Sequence, residues 1–349
     1  MIKELIKLSN SGGISGFEYT ITPEIEKLLK KYCDEVKKDV SGSVVGYIYS
    51  DNKDSKTVMI EAHTDGIGLM VKDIDERGYI TFTTIGGVDP RILPSAEVIV
   101  CGKENLYGVI SSKSPHLLPP EERNQGVKIE NMAVDVGMPY DKVKKIVTVG
   151  DMIYFKTNAT KLLDKKLSGK YLDDRAGVIS LLMCLEKLKK EKLPFNLAVL
   201  FATQEEVGLR GALAGTYNID PICAIVVDVC HGTTPDSGGA QTFKLGTGTV
   251  ITCGPNIDRR LFDIAKKTAQ DNKIKFSVEA EGGHTGTDAW VVQTSRMGVA
   301  TLLLSIPLRY MHTTVETLSM KDIDATADLI YHTLLNIDTE EFSLCILKN

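Results

Sequence analysis

The stretch that decides the fold runs from residue 196 to residue 228 and reads NLAVLFATQEEVGLRGALAGTYNIDPICAIVVD. Residues 196–202 and 222–228 are mostly apolar runs of strand length, without the alternation of a half-exposed strand. Such runs are typical of strands that are buried on both faces of a parallel sheet. Residues 208–217, which lie between them, have the composition of a short helix. The stretch therefore predicts a β-α-β unit.

The same alternation continues after about residue 167. Helices are predicted from an apolar stripe that begins at Val178 and over residues 259–272, 288–297 and 320–335, and strands over 274–278 and 299–306. Near the N-terminus, two short helices precede strands at 44–49 and 57–62. We expect an α/β fold in which a mostly parallel sheet carries helices on both faces.

The segment from about residue 69 to residue 158 has a different pattern. Short β-like runs at 79–84, 97–100, 107–111 and 152–155 alternate with turns rich in Gly, Pro and Asp, which is typical of an all-β unit. We therefore predict two domains. Residues 1–68 and 160–349 form the α/β domain, and residues 69–159 form an inserted β-barrel-like domain.

The composition narrows the possible functions. The net charge of −5, from 41 basic and 46 acidic residues, leaves no excess positive charge to bind a nucleic-acid backbone. No apolar run reaches the roughly 18–20 residues that span a bilayer, and the N-terminus lacks a signal-peptide pattern. Seven cysteines without a C-x-x-C pair suit free thiols in a reducing compartment. We expect a cytoplasmic protein with neither nucleic-acid nor membrane partners.

Polar side chains stand at the carboxyl ends of the predicted strands, where α/β sheets bind ligands. A further pair of acids begins the helix that carries the Val178 stripe. These residues are His63, Thr64, Asp65, Asp173, Asp174, Glu205, Glu206, Asp228 and His312. Histidine and carboxylate ligands without cysteine suit Zn²⁺, Co²⁺ or Mn²⁺. The sequence predicts a metal site at this edge of the sheet.

The local spacing suggests separate roles for neighbouring residues. Glu205 and Glu206 follow a strand end and point in different directions, so that one can bind a metal ion while the other acts as a base. Asp65 lies two residues after His63 on the same face of an extended segment and can therefore hold its imidazole. Read separately, Asp173 and Asp174 are also compatible with simple helix N-caps.

Seven motifs occur in chain order: SGGISGFE (11–18), EAHTD (61–65), DDRAG (173–177), QEEVGLRGA (204–212), VDV (227–229), GTDA (286–289) and PLRYMHT (307–313). Their order and type resemble those of the TET-type dinuclear metalloaminopeptidases over essentially the whole chain. This family includes glutamyl and deblocking aminopeptidases, and some relatives carry the label endo-1,4-glucanase. The resemblance implies a zinc-exopeptidase-like catalytic domain.

The resemblance also implies a role for each metal ligand. Asp173 would bridge two divalent ions, Zn²⁺ or Co²⁺. One ion would be completed by His63 and Asp228, and the other by Glu206 and His312. Glu205 would be the general base that takes a proton from the attacking water, and Asp65 would orient His63.

The implied substrates are peptides with a free N-terminus. The inserted domain would mediate dimerisation, and the homodimers would assemble into a homododecamer. Gly66 departs from the family, which usually has an acidic residue there, and this could change local packing or a neighbouring pocket. His231 and His284 stay open as substrate-facing or structural residues, whereas His116 and His332 are interpreted as structural.

Two other functions deserve comparison. A glycosidase uses two carboxylates and needs no metal, but this mechanism leaves the placement of His63 and His312 unexplained. A non-catalytic assembly protein on a peptidase scaffold would be expected to have lost part of the ligand set or Glu205, and all of them are present. The sequence does not indicate which N-terminal residue the enzyme prefers.

Overall fold

The computed structural model describes residues 1–52, 54–121 and 125–342. The helices are α1 (Ile2–Asn10), α2 (Thr22–Leu29), α3 (Tyr140–Ile146), α4 (Leu172–Leu188), α5 (Arg210–Ile219), α6 (Arg259–Asp271), α7 (Ala289–Val292) and α8 (Met320–Asn336). None of the helices in these ranges has the length and apolar character required to cross a membrane.

The strands fall into two groups. Those of the main sheet are β1 (Glu35–Lys38), β2 (Val44–Ile48), β3 (Thr57–His63), β10 (Thr160–Lys161), β11 (Lys166–Gly169), β12 (Asn196–Ala202), β13 (Cys223–His231), β14 (Thr249–Cys253), β15 (Phe276–Ala280), β16 (Ala300–Arg309) and β17 (Glu316–Ser319). Those of a closed barrel are β4 (Gly68–Ile74), β5 (Ile80–Ile85), β6 (Glu97–Cys101), β7 (Asn105–Ser112), β8 (Met132–Asp135) and β9 (Met152–Phe155).

The centre of the main sheet consists of β12, β3, β13 and β16, in that order, and all of its pairings are parallel. Every residue of β12 is buried, because helices cover both faces of the sheet. On one side, α4 packs against α8, α1 and the central strands, and α5 and α7 pack against each other and against the sheet in a second layer. The predicted β-α-β unit is present as β12, α5 and β13, with β3 between the two strands.

The prediction of a mostly parallel sheet is confirmed for the centre and for the pairing of β14 with β15, and it is wrong for the other outer pairings. Among the described residues, six of the ten pairings in this sheet are antiparallel and four are parallel. Several of these strands follow their neighbours after short connections, as β2 follows β1 and β17 follows β16. A short connection joins antiparallel strands, whereas parallel strands need a longer crossover. The sheet is therefore mixed, with a parallel centre.

The helix predicted over 288–297 is much shorter in the structure, where α7 ends at Val292. The chain then turns, with Arg296 at φ 51° and Gly298 at φ 97° in the left-handed region. The Val299 amide donates to the Gln293 carbonyl and closes this turn. Residues 293–297 of the predicted helix therefore lie in this turn and not in the helix.

The all-β pattern predicted for residues 69–158 is realised as a closed barrel in the order β4-β5-β8-β7-β6-β9. The barrel has a hydrophobic core of its own, separate from the core around the main sheet. Ile14, Ile67 and Tyr171 belong to this second core although they lie outside the barrel strands. The division of the chain into a catalytic and a dimerisation domain stays a prediction.

A buried arginine fixes the N-terminal segment beside the sheet. The guanidinium of Arg175 donates to the carbonyl oxygens of Leu8, Gly12 and Gly13, and its Nε donates to that of Thr64 at 3.3 Å. Burial lowers the pKa of Arg175 to about 10. Because these acceptors lie in α1, in the motif at 11–18 and directly after β3, Arg175 holds all three segments against the start of α4.

Candidate metal and catalytic site

His63 is the last residue of β3, and carboxylates flank both nitrogens of its buried ring. Its Nε2 lies 3.2 Å from Oδ1 of Asp173 and 3.9 Å from Oδ1 of Asp228. Its Nδ1 lies 3.5 Å from Oδ1 of Asp65. A histidine whose second nitrogen faces a carboxylate has a fixed ring orientation, as metal-binding histidines do. Nε2 is therefore directed at the acidic cluster.

Asp173 lies between two histidines. Its Oδ1 is 3.2 Å from His63 Nε2, and its Oδ2 is 3.4 Å from Nε2 of His312. Asp173 and Asp174 both leave helical geometry at the start of α4, and their side chains have different partners. Asp174 Oδ1 accepts a hydrogen bond from the Gly177 amide at 2.9 Å, as a helix-capping residue does. The two oxygens of Asp173 therefore face two different imidazole rings.

The second histidine is held by contacts from two different parts of the fold. His312 Nε2 lies 3.1 Å from Glu206 Oε2, and Nδ1 lies 3.1 Å from the carbonyl oxygen of Gly87. Because a carbonyl only accepts, this contact requires a hydrogen on Nδ1, so Nε2, which faces the carboxylates, is the nitrogen that could bind a metal ion. Gly87 follows β5, so the barrel contributes directly to the site.

The structure brings all five predicted metal ligands together in two overlapping groups. Ligand atoms of His63, Asp173 and Asp228 lie within 4.8 Å of one another, and so do those of Asp173, Glu206 and His312. Asp173 belongs to both groups. These nitrogen and carboxylate donors match the preferences of Zn²⁺ and Co²⁺. The identity and number of the ions stay predictions.

The electrostatics of the cluster favour added positive charge. Burial raises the pKa of Asp228 to about 7 and that of Glu205 to about 10, and nearby carboxylates add to both effects. Burial opposes protonation of His312, but its hydrogen bonds with Asp173 and Glu206 raise its pKa to about 11. All three shifts reduce the negative charge of the cluster. A divalent cation would relieve the same repulsion, so the donor set fits a metal.

Glu205 differs from Glu206 in that it belongs to neither group. Asp65 fixes the turn that carries both glutamates: its Oδ1 accepts from the Glu205 amide at 3.1 Å, and its Oδ2 from the Glu206 amide at 3.2 Å. Asp65 thus contacts His63 and also positions the pair at 205 and 206. Sequence reasoning assigned it only the first of these roles.

Two supporting residues near this turn were missed. The hydroxyl of Ser15 donates to Asp65 Oδ2 at 2.5 Å, and Glu18 Oε1 accepts from the Gln204 amide at 2.9 Å. Burial and the nearby charge of Asp65 raise the pKa of Glu18 to about 7. Both residues lie in the motif at 11–18, which was the available signal.

A third missed residue, Glu316, lies at the start of β17 and is 2% exposed. Its Oε2 accepts from the amides of Leu172 and Asp173 at 2.7 and 3.2 Å, and its Oε1 accepts from the His312 amide at 3.0 Å. One carboxylate therefore holds the backbone of two candidate ligands. The sequence gives it no clear signal, since it begins a short strand that reads ETLS.

A cavity of about 790 Å³ opens over the cluster and is lined by Glu205, Asp228 and His312, among others. His231 and His284 also line it, so their position favours the substrate-facing interpretation. The imidazole of His284 packs on Trp290, with ring centroids 4.3 Å apart. His116 and His332 do not line this cavity, in keeping with structural roles.

The departure at Gly66 is explained by packing. A Cβ atom at this position would lie 2.6 Å from Cδ1 of Tyr171, which is 2% exposed. Tyr171 belongs to the barrel core, and the guanidinium of Arg175 lies over its ring at 4.7 Å. The space that a larger side chain would need is therefore occupied by Tyr171.

We expect Gly66→Ala to lower the free energy of unfolding by about 1–3 kcal/mol, because the new methyl group overpacks a filled site. Urea unfolding followed by circular dichroism measures the change. Gly126→Ala is the matched control, since a Cβ at that position has no atom within 4 Å. Equal stability of the two variants would contradict the packing explanation.

Comparison with known proteins agrees with this geometry. A family model described as M42 glutamyl aminopeptidase matches residues 42–329. The lysyl aminopeptidase of Pyrococcus furiosus is 36% identical over 346 residues, which cover 97% of each chain.

Two solved structures are similar along nearly the whole chain. The TET1 peptidase of Pyrococcus horikoshii superposes with a TM-score of 0.83 at 30% identity, covering 95% of this chain and 98% of that one. A Thermotoga maritima protein described as an endoglucanase gives a TM-score of 0.77 at 28% identity, with coverages of 97% and 99%. The matched range includes all five candidate ligands, namely His63, Asp173, Glu206, Asp228 and His312. On this evidence the chain belongs to the M42 glutamyl aminopeptidase family.

Proposed function

We propose that this chain is a metal-dependent aminopeptidase that removes N-terminal residues from peptides, with two divalent ions, Zn²⁺ or Co²⁺, and with Glu205 as the general base. Family membership supports the aminopeptidase activity. The two-metal part of the proposal is supported by the position of Asp173, whose two oxygens face His63 and His312. A shared carboxylate between two ligand sets is what a pair of ions requires.

In this proposal Asp173 would be a ligand of both ions. His63 and Asp228 would complete the ligand set of one ion, and Glu206 and His312 would complete that of the other. The ions would supply Lewis acidity toward the attacking water and the scissile carbonyl. Asp65 and the Gly87 carbonyl keep the two imidazole rings oriented, through contacts at 3.5 and 3.1 Å.

Glu205 takes a proton from the attacking water and returns it to the leaving amine. Burial raises the pKa of Glu205 to about 10 when no cation is present, and divalent ions held by the neighbouring ligands would lower it, so that the carboxylate could accept the proton. The Asp65 hydrogen bond to its backbone amide holds the residue at the edge of the cavity. Carboxylates of the same site would bind the free α-amino group of the substrate, which restricts cleavage to the N-terminus.

A glycosidase is less compatible with the site. Two carboxylates suffice for that chemistry, and it gives no role to imidazole rings placed between carboxylates. Here both His63 and His312 contact Asp173 within 3.4 Å. The description of the Thermotoga maritima relative as an endoglucanase applies to that protein.

Chelation tests the proposal. We expect the purified protein to hydrolyse aminoacyl-nitroanilides and to lose at least about a hundredfold of this activity after treatment with a chelator, because the ligand set would be empty. Zn²⁺ or Co²⁺ added back should restore it. The same samples are assayed on carboxymethyl-cellulose as the glycosidase control. Peptidase activity that resists chelation, or cellulose hydrolysis in its place, would contradict the proposal.

We also propose that the chain forms a homodimer through its barrel and that dimers assemble into a homododecamer. The Pyrococcus horikoshii relative is described as assembling into a tetrahedron or an octahedral shell, which supports self-association in a similar fold. Tyr107 and Val109 on β7 project from the barrel and are 47% and 38% exposed, so this strand offers apolar surface to a second copy.

A further inference from the structure

Two glutamates stand together on one wall of the cavity above the candidate metal site. Glu279 lies in β15 opposite Thr252 of β14, and the Glu281 amide continues this ladder by donating to the Cys253 carbonyl at 2.9 Å. Residues two apart on an extended strand share a face. Both glutamates line the same cavity as Glu205.

The cavity wall also has an apolar part. Leu209, Val291, Leu303 and Met311 line it together with the ring of Trp290. The lining residues that the structure describes include no lysine or arginine. A side chain that enters this space can therefore contact both aliphatic or aromatic surface and carboxylates.

The charge of the two glutamates is not balanced by an ion pair within the described ranges. Glu279 Oε2 accepts from the Thr252 hydroxyl at 3.3 Å, and Glu281 Oε1 accepts from the Gly283 amide at 3.2 Å. Burial raises the pKa of Glu279, and the charge of Glu281 adds to the effect, while His231 partly offsets it. A cation between the two carboxylates would remove this cost.

We propose that this wall forms the pocket for the N-terminal side chain of the substrate and that it selects lysine and arginine. The aliphatic stem of either residue packs on the apolar wall, and its charged group pairs with Glu279 and Glu281. This inference rests on the proposed aminopeptidase function, since it assigns the substrate class of the same site. An N-terminal glutamate would meet two like charges and is excluded.

The test compares kcat/KM for Lys-, Arg-, Leu- and Glu-nitroanilide in the metal-loaded wild-type protein, in Glu279→Gln, in Glu281→Gln and in the double variant. We expect the wild type to prefer Lys and Arg. The double variant should lower the Lys-to-Leu ratio by about tenfold to a hundredfold, the range for hydrogen bonds to charged groups. The ratio is independent of the fraction of active protein in each preparation. Glu104→Gln, on an exposed turn of the barrel, is the control for the loss of one negative charge.

The outcomes separate the two proposals. No hydrolysis of any substrate would contradict the proposed function itself. Hydrolysis of Leu- or Glu-nitroanilide in preference to Lys and Arg would keep that function and overturn the pocket assignment. An equal fall for every substrate in the double variant, with the Lys-to-Leu ratio unchanged, would place the two glutamates at the α-amino group and would also overturn it.

Discussion

Replacement of Glu205 by glutamine will lower kcat by about 10²–10⁴-fold while leaving the metal content of the protein unchanged. Glutamine keeps the size of the side chain and its backbone hydrogen bond to Asp65, but it cannot accept a proton from water. Glu205 belongs to neither of the two ligand groups, so its loss should not release metal. Steady-state kinetics on the preferred nitroanilide and elemental analysis of the same preparation measure both quantities.

Two further measurements show whether the fall in kcat is due to loss of the general base. Glu104→Gln should retain wild-type kcat, because that residue lies on an exposed turn of the barrel. The pH profile of the residual activity of Glu205→Gln should also lose the limb that reports deprotonation of the base. A variant within tenfold of wild-type kcat would show that another group accepts the proton.

Replacement of Asp173 by asparagine will remove metal from both groups and reduce activity by at least about a hundredfold. An asparagine amide carries no charge, and its NH₂ group cannot accept a hydrogen bond or bind a cation. Among the described residues, Asp173 is the one member common to both groups. We expect the metal content to fall from two ions per chain to less than one, as measured by elemental analysis after dialysis.

The variant His63→Ala provides the comparison that shows whether Asp173 is shared between two ions. His63 belongs to one group, so its loss should weaken one ion and leave the ligands Glu206 and His312 of the other in place. Asp271→Asn, at the exposed end of α6, controls for the loss of an acid. If Asp173→Asn releases only one ion, or none, Asp173 does not bridge.

The parts of the fold that could be predicted are those with a strong local signal. The bounds predicted for β12 and β9, residues 196–202 and 152–155, coincide with the observed strands because both are runs of buried residues between polar turns. By contrast, β1 was not predicted, since its EVKK sequence ends in two exposed lysines and gains its strand geometry from pairing with β2. Edge strands of this kind depend on a neighbour more than on their own composition.

The candidate site divides in the same way. The five ligands could be proposed because each stands near the end of a strand or the start of a helix, where the fold class itself places ligands. Ser15 and Glu316 were not proposed, because they act through hydrogen bonds with Asp65, Asp173 and His312 and not through a position at a strand end. Glu316 contacts the Asp173 amide across 143 positions of the chain, and no local spacing encodes such a contact.

The contact between His312 Nδ1 and the Gly87 carbonyl links a residue next to Met311, which packs on the core of the sheet, to a residue next to Val88 of the barrel core. If the barrel separates from the sheet, His312 loses the acceptor that fixes its tautomer. By thermodynamic linkage, an ion that binds more tightly to the fixed ring must favour the docked barrel by the same free energy. Bound metal ions should therefore stabilise the docked arrangement of the two cores. Hydrogen exchange of the backbone amides at their boundary should slow as the ions bind.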